Sequence, residues 1–286
     1  MSTTTNGTAA ETTTFGRETR TFEGKRVINT WKDGHVAFIE MNDPPANTYT
    51  HEMMRQLDEA ILDARFDPEV EAIVLTGSGG KFFSAGANIN MLSSVTQQFK
   101  YNFCLHANET LARLEQTPKL VIAALNGHCV GGGMEIAMAC DIRIARKDSG
   151  KIGLPEVALG VLPGTGGTQR LARLVGKARA IELMVLGKTF SYEQALEWGI
   201  VSDIFEGDAE EFRAQIADYA KQFCSPNKAP MAVGHIKRSV QTGAEIPLQD
   251  ALALERELQA QLFKSSDAKE GIGAYNDKRV ARFKNE

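Results

Sequence analysis

The sequence predicts an α/β protein, with a largely parallel sheet and its helices in the first two hundred residues and a helical region after them. Three observations carry that prediction. Short apolar runs bounded by glycine recur as candidate buried strands, and segments with apolar residues at helical spacing separate them. Beyond Val201 only the helical spacing continues. Strands that alternate with helices pair in parallel through right-handed crossovers. The chain divides accordingly into a Thr-rich arm (1–20), an α/β core (21–200) and a helical C-terminal region (201–286).

The elements follow in order. Residues 27–29 and 36–41 read as strands joined by a turn at Lys32-Asp33-Gly34, and Asp43-Pro44-Pro45 ends that unit. Met54, Leu57, Ile61 and Leu62 place one face of a helix over 51–65. The run 72–76 is a buried strand closed by the glycines of 77–80; a long helix over 97–116 leads to a second buried strand at 120–124. A helix at 134–140 precedes a third strand at 141–145. The C-terminal region reads as helices over 209–223, 229–241, 247–263 and 272–283, the third strongly apolar on one side through Leu252, Leu254, Leu258 and Leu262.

With 286 residues, 43% hydrophobic and 24% charged, the chain can bury a sizeable core. A net charge of −4 argues against a polyanion binder, so no nucleic-acid partner is expected. No stretch approaches the roughly 18 apolar residues that span a bilayer, so no membrane partner is expected either. The arm, polar and Thr-rich to Phe15, lacks the apolar segment of a signal peptide and is expected to be disordered in a cytoplasmic protein. The four cysteines, Cys104, Cys129, Cys140 and Cys224, have no CxxC spacing and read as free thiols in a reducing compartment. His128 beside Cys129 lacks further ligands at suitable spacing, so no metal is expected.

Glu135 and Glu156 stand out chemically. They lie in glycine-rich, almost uncharged surroundings, Gly131-Gly132-Gly133-Met134-Glu135 and Gly153-Leu154-Pro155-Glu156. A carboxyl group withdrawn from water has its pKa pushed up, which suits proton transfer near neutral pH. The alternative is that each is simply paired with an arginine such as Arg143 or Arg170. Three glycine loops fail as nucleotide motifs: Gly77-Ser78-Gly79-Gly80-Lys81 is followed by Phe82, Gly164-Thr165-Gly166-Gly167-Thr168 by Gln169, and Gly131-Gly132-Gly133 has the wrong spacing. Gly131-Gly132-Gly133 instead lies just before a helix, where unsatisfied N–H groups can meet an oxyanion. The small-residue turn Phe83-Ser84-Ala85-Gly86-Ala87 offers a second such donor. The rival reading is that these glycines only make tight turns.

The run Phe82-Phe83-Ser84-Ala85-Gly86-Ala87-Asn88-Ile89, the run Ala124-Leu125-Asn126-Gly127-His128-Cys129-Val130 continuing into the glycines and Glu135, and Leu154-Pro155-Glu156 together closely resemble the crotonase superfamily, nearest to its enoyl-CoA hydratases. Gly160-Val161-Leu162-Pro163-Gly164-Thr165-Gly166-Gly167 continues the match, which covers about 26–284. The resemblance implies a crotonase-type spiral of ββα units with a C-terminal helical region that forms homotrimers, often paired into hexamers. It implies an acyl-CoA thioester as substrate, with coenzyme A part of that substrate and no separate cofactor; fatty-acid metabolism by β-oxidation is one setting for such a reaction, beside amino-acid and aromatic degradation.

By position, Ala87 and Gly132 match the family's backbone oxyanion donors, and Glu135 and Glu156 its two catalytic glutamates. Gly164 matches the residue whose amide places the reacting water. Ala85 and Ile89 match the loop against which adenine lies, and Phe263 and Lys278 match C-terminal residues near coenzyme A. The implied reaction is syn addition of water to a 2-enoyl-CoA, Glu135 activating water and Glu156 supplying the proton to Cα. The alternative is Δ3,Δ2-enoyl-CoA isomerisation or another enolate reaction; retention of both glutamates favours the hydratase. Asn88 departs from the usual Asp, and Asn90 from a frequent phosphate-contacting lysine. Tyr49 stands where a smaller aliphatic residue is common, either shaping acyl specificity or packing against the next helix.

Overall fold

The computed structural model describes residues 25–286, so the expected disordered arm lies outside the described residues. Two strands open the fold, β1 (Ile28–Asp33) and β2 (Val36–Met41), paired antiparallel across the turn at Gly34. Helix α1 (His51–Phe66) starts at Thr50, whose side chain accepts from Met53 N, and leads to β3 (Ala72–Gly77). Then come β4 (Phe82–Ser84), α2 (Ile89–Ser94), α3 (Gln97–Gln116), β5 (Leu120–Leu125), β6 (His128–Val130) and α4 (Gly132–Met138). The chain continues through β7 (Ile142–Arg146) and β8 (Lys151–Gly153) to a 3-10 turn at Glu156–Leu159. Helices α5 (Gly167–Val175) and α6 (Lys177–Leu186) follow, then β9 (Phe190–Ser191), α7 (Tyr192–Glu197) and β10 (Asp203–Phe205). Four helices finish the chain: α8 (Ala209–Lys221), α9 (Pro230–Gly243), α10 (Leu248–Leu262) and α11 (Ser266–Asn276).

The strands form two sheets. The larger runs β1-β2-β3-β5-β7-β10, parallel from β2 onward; the smaller runs β4-β6-β8-β9, parallel through its first three strands. After each of β3 and β5 the chain steps into the smaller sheet before a helix carries it back, which is the repeating ββα turn of the spiral. The larger sheet is covered on both faces, as parallel sheets require. Ala37, Ile39, Ile73, Leu75 and Val121 face a core shared with α1, α3 and α4, while Val36, Phe38, Val74 and Ile122 face Phe212, Ile216 and Ala220 of α8. That strict alternation is the two-residue period of a pleated strand.

The structure corrects four expectations. The first strand is twice as long as the 27–29 reading and runs into the turn. The helix expected over 134–140 begins two residues earlier, at Gly132. Residues 201–286 are not helical throughout, because β10 completes the larger sheet and α8 packs on it. The helix expected over 272–283 spans Ser266–Asn276 instead, capped by the Ser265 side chain accepting from Ala268 N. The basic tail after it is not a helix face. It folds back on α11, where Arg279 grips Glu270 at 2.6 and 2.8 Å and Asp267 accepts from the Lys284 and Asn285 amides.

Candidate active site

Glu135 sits in the first turn of α4, and Glu156 opens the 3-10 turn three residues after β8. The two are brought together where β6 meets β8: Gly131 N donates to Gly153 O at 2.9 Å, joining the start of α4 to the strand that delivers Glu156. Gly131, at φ 56°, is favoured as glycine on two counts. Its backbone lies in the left-handed region, and a Cβ on it would stand 3.2 Å from Glu156 Oε1.

The glutamates are not paired with arginines. Arg143 is buried and donates to the carbonyls of Ile200 at 2.7 Å and Cys140 at 2.6 Å, anchoring the end of α4 to the turn before β10. Arg170 makes bidentate bonds to Glu115, both 2.7 Å. Glu135 is 2% exposed, and its Oε1 accepts from two amides, Thr165 N and Gly167 N, each at 2.7 Å. Burial pushes its pKa up; the two amides and the more distant Arg170 charge pull against that rise. Glu156 has less support. Burial lifts it to about 7, its own amide lowers it, and the Glu135 charge adds a further push upward. Among the described residues its buried Oε2 has no hydrogen-bond partner.

Two N–H groups are presented beside this pair. Tyr49 and Ala87 form a parallel bridge in which Tyr49 N donates to Gly86 O and Asn88 N donates to Tyr49 O, both at 3.0 Å. In a parallel bridge the bracketed residue turns its own N–H the other way, so that of Ala87 points off the ladder. Gly132 is the first residue of α4, where no carbonyl of the helix can accept its N–H. Neither N–H has a protein acceptor among the described residues. The two segments touch closely, since a Cβ on Gly86 would lie 2.7 Å from Gly132 N. The loop carrying Ala85 and Ala87 is held by Asn47, whose Nδ2 donates to Ser78 O and Phe82 O, and by Ala85 N donating to Ala46 O.

Six residues named from sequence thus converge: Glu135, Glu156, Ala87, Gly132, Ala85 and, on the loop before Thr165, Gly164. The Gly164 carbonyl accepts from Asn108 Nδ2 on α3 at 3.3 Å. The Asn88 side chain is occupied as the cap of α2, accepting from Met91 N and donating to Thr48 Oγ1. Ile89 and Asn90 are exposed on α2. Phe263, 60% exposed at the end of α10, and Lys278, in the left-handed region at φ 54°, belong to the C-terminal elements, and among the described residues no hydrogen bond or ion pair joins them to the carboxylates. Sequence reasoning missed Thr165 and Gly167 as holders of Glu135. Their signal was present in Gly164-Thr165-Gly166-Gly167, which presents free amides at the start of α5. Among the described residues no cluster of three or more His, Cys, Asp or Glu could hold a metal, and no helix is long and apolar enough to cross a membrane.

Two buried carboxylates that feel each other's charge, beside two outward N–H groups, can in chemical terms move protons and hold an oxyanion. The family model described as enoyl-CoA hydratase/isomerase matches residues 32–286, and the chain belongs to that family. It is 37% identical to the short-chain-enoyl-CoA hydratase of Clostridium acetobutylicum over 258 residues, 89% of this chain and 96% of that one. It is 35% identical to the 2,3-dehydroadipyl-CoA hydratase of Escherichia coli, covering 87% and 95% of the two chains. The crystal structure of an enoyl-CoA hydratase from Geobacillus kaustophilus superposes with a TM-score of 0.88 at 43% identity, over 92% of this chain and 98% of that one.

Proposed function

We propose that the protein is an enoyl-CoA hydratase, adding water syn across the 2,3 double bond of a 2-enoyl-CoA to give a 3-hydroxyacyl-CoA. The observation that carries this reading is the pair of carboxylates, one held by amides and one lifted to about 7, beside the N–H groups of Ala87 and Gly132. The thioester oxygen accepts from both amides, which draws electrons toward it and makes Cβ electrophilic. Glu135 takes a proton from water as the water oxygen bonds to Cβ. Glu156 in its acid form gives its proton to Cα, and proton exchange with solvent resets both groups. Coenzyme A is part of the substrate, and nothing in the mechanism calls for another cofactor.

The loop at Ala85 and Ile89 takes the adenine end of the coenzyme, Asn88 and Asn90 lie beside it along the coenzyme, Gly164 orients the water, and Phe263 and Lys278 contact the coenzyme from the C-terminal region. That region joins three copies into a trimer or a dimer of trimers; exposed Ile236, Val240, Leu248, Ile272 and Tyr275 on α9–α11 support this reading. Light scattering that returns a monomeric mass at micromolar concentration refutes it. A short-chain substrate is the first to try, since a relative carries that specificity in its name. Addition of crotonyl-CoA should abolish the enoyl-thioester absorbance with formation of 3-hydroxybutyryl-CoA. Unchanged absorbance at high enzyme concentration, or conversion only of a 3-enoyl-CoA to its 2-enoyl isomer, overturns the assignment.

A further inference from the structure

One of the two amides that hold Glu135 belongs to Thr165, the other to Gly167. Thr165 is 2% exposed, and each of its polar groups has a partner. Its N–H donates to Glu135 Oε1 at 2.7 Å, its carbonyl accepts from Arg170 Nη1 at 3.0 Å, and its hydroxyl lies 3.0 Å from the Tyr49 hydroxyl. Tyr49 is itself 2% exposed and confined on both sides. Its ring centroid is 5.5 Å from that of Phe103 on α3, and a Cβ on Gly132 would lie 2.5 Å from its phenol oxygen. The phenol therefore has little room to turn away from Thr165. Its main chain makes the two bonds that bracket Ala87.

We infer that Tyr49 is a positioning residue for the water-activating carboxylate: its hydroxyl fixes Thr165, and Thr165 fixes Glu135. The inference rests on the proposed role of Glu135 as base. Burial holds the phenol well above its ordinary pKa, so it stays a donor throughout the neutral range. When Tyr49 donates to Thr165 Oγ1, the threonine hydroxyl keeps its own hydrogen, and its pull on the Glu135 carboxyl is the least of the downward influences, after the two amides and Arg170. One residue then serves both halves of the site, its backbone setting the Ala87 amide and its side chain setting the base. The charged and titratable groups that face Glu135 are Arg170 from α5, Glu156 from the 3-10 turn, Cys104 from α3, and Tyr49.

Tyr49→Phe keeps the ring and removes the bond. Its kcat for crotonyl-CoA should fall about fivefold with KM nearly unchanged, as for loss of one hydrogen bond that acts on the chemical step. The acidic limb of its pH–rate profile should move up by roughly half a pH unit, because the ionised form of Glu135 loses support. Thr165→Val, which keeps the amide and removes the hydroxyl, should move both quantities the same way, and the double variant should be no worse than the worse single one. A folded Tyr49→Phe with wild-type kcat and acidic limb overturns the inference. So does a loss expressed only in KM, or a fall in kcat with the limb unmoved. If Tyr49→Phe does not fold, Thr165→Val is judged by the same readings. Glu135→Gln run alongside separates the two ideas: if it keeps wild-type activity the base assignment has failed, whereas a dead Glu135→Gln with a silent Tyr49→Phe condemns the positioning role alone.

Discussion

Glu135 and Glu156 are the same side chain in two different surroundings. Around Glu135 the chain supplies two amides 2.7 Å away from one oxygen, a helix start beneath it and a cation beyond Thr165. Around Glu156 it supplies little more than burial, leaving Oε2 without a partner among the described residues. Donors aimed at a carboxylate stabilise its charge, while burial without donors stabilises the acid. The difference teaches how two buried glutamates can be set apart by the donors around them, as the proposed base and acid would need to be at a single pH.

The comparison breaks most decisively if one carboxylate proves dispensable. Glu135→Gln and Glu156→Gln should each lower kcat by several orders of magnitude, because each amide keeps the shape but cannot exchange the proton. Turnover of crotonyl-CoA by either variant at more than about a tenth of the wild-type rate removes that residue from the proton transfers.

A smaller effect concerns stability. Glu156 titrates at about 7 in the folded chain against an ordinary 4.5. The folded state thus binds the extra proton, and its contribution is fully present below the ordinary value and lost as pH rises through about 7. Glu156→Gln has no such loss. Its melting temperature relative to wild type should climb by a few degrees between pH 5 and pH 8, the gain being reduced by solvent screening at this partly exposed site. A constant difference across that range would show that burial is not what lifts Glu156.

The smallest effect lies farthest from the carboxylates. Lys278→Ala should raise KM for an enoyl-CoA about threefold at low salt, less at high salt, and leave kcat nearly unchanged. Equal affinities for a CoA thioester at two ionic strengths would leave Lys278 an ordinary solvated residue.

Much of this site could be read in one dimension because its chemistry is compressed into short runs. Glycines 131–133 announced a close backbone approach, and Glu135 follows within the same turn of helix. The larger sheet was legible for a similar reason, since β3 opens with four apolar residues before Thr76 and Gly77, and β5 is apolar through all six. Strands β4, β6 and β8 were not, because three residues are too few to display a period. The error at α11 has a different origin. Ile272, Tyr275 and Phe283 mimic a helical stripe, yet Phe283 N donates to Pro226 O, and the tail's bonds go to Asp267 and Glu270. Tyr49 and Thr165 are 116 positions apart, and nothing local marks them as partners.

Helix α4 is only seven residues long, about 10 Å from the Gly132 donor to the far end that Arg143 grips. A helix this short has almost no stability of its own and borrows its shape from its fastenings. Arg143 ties it to the carbonyl of Ile200, a residue remote from any reacting atom. Heat that loosens the turn before β10 is therefore felt at the Gly132 amide while the sheet is still intact. On a temperature ramp, turnover should fade before ellipticity does.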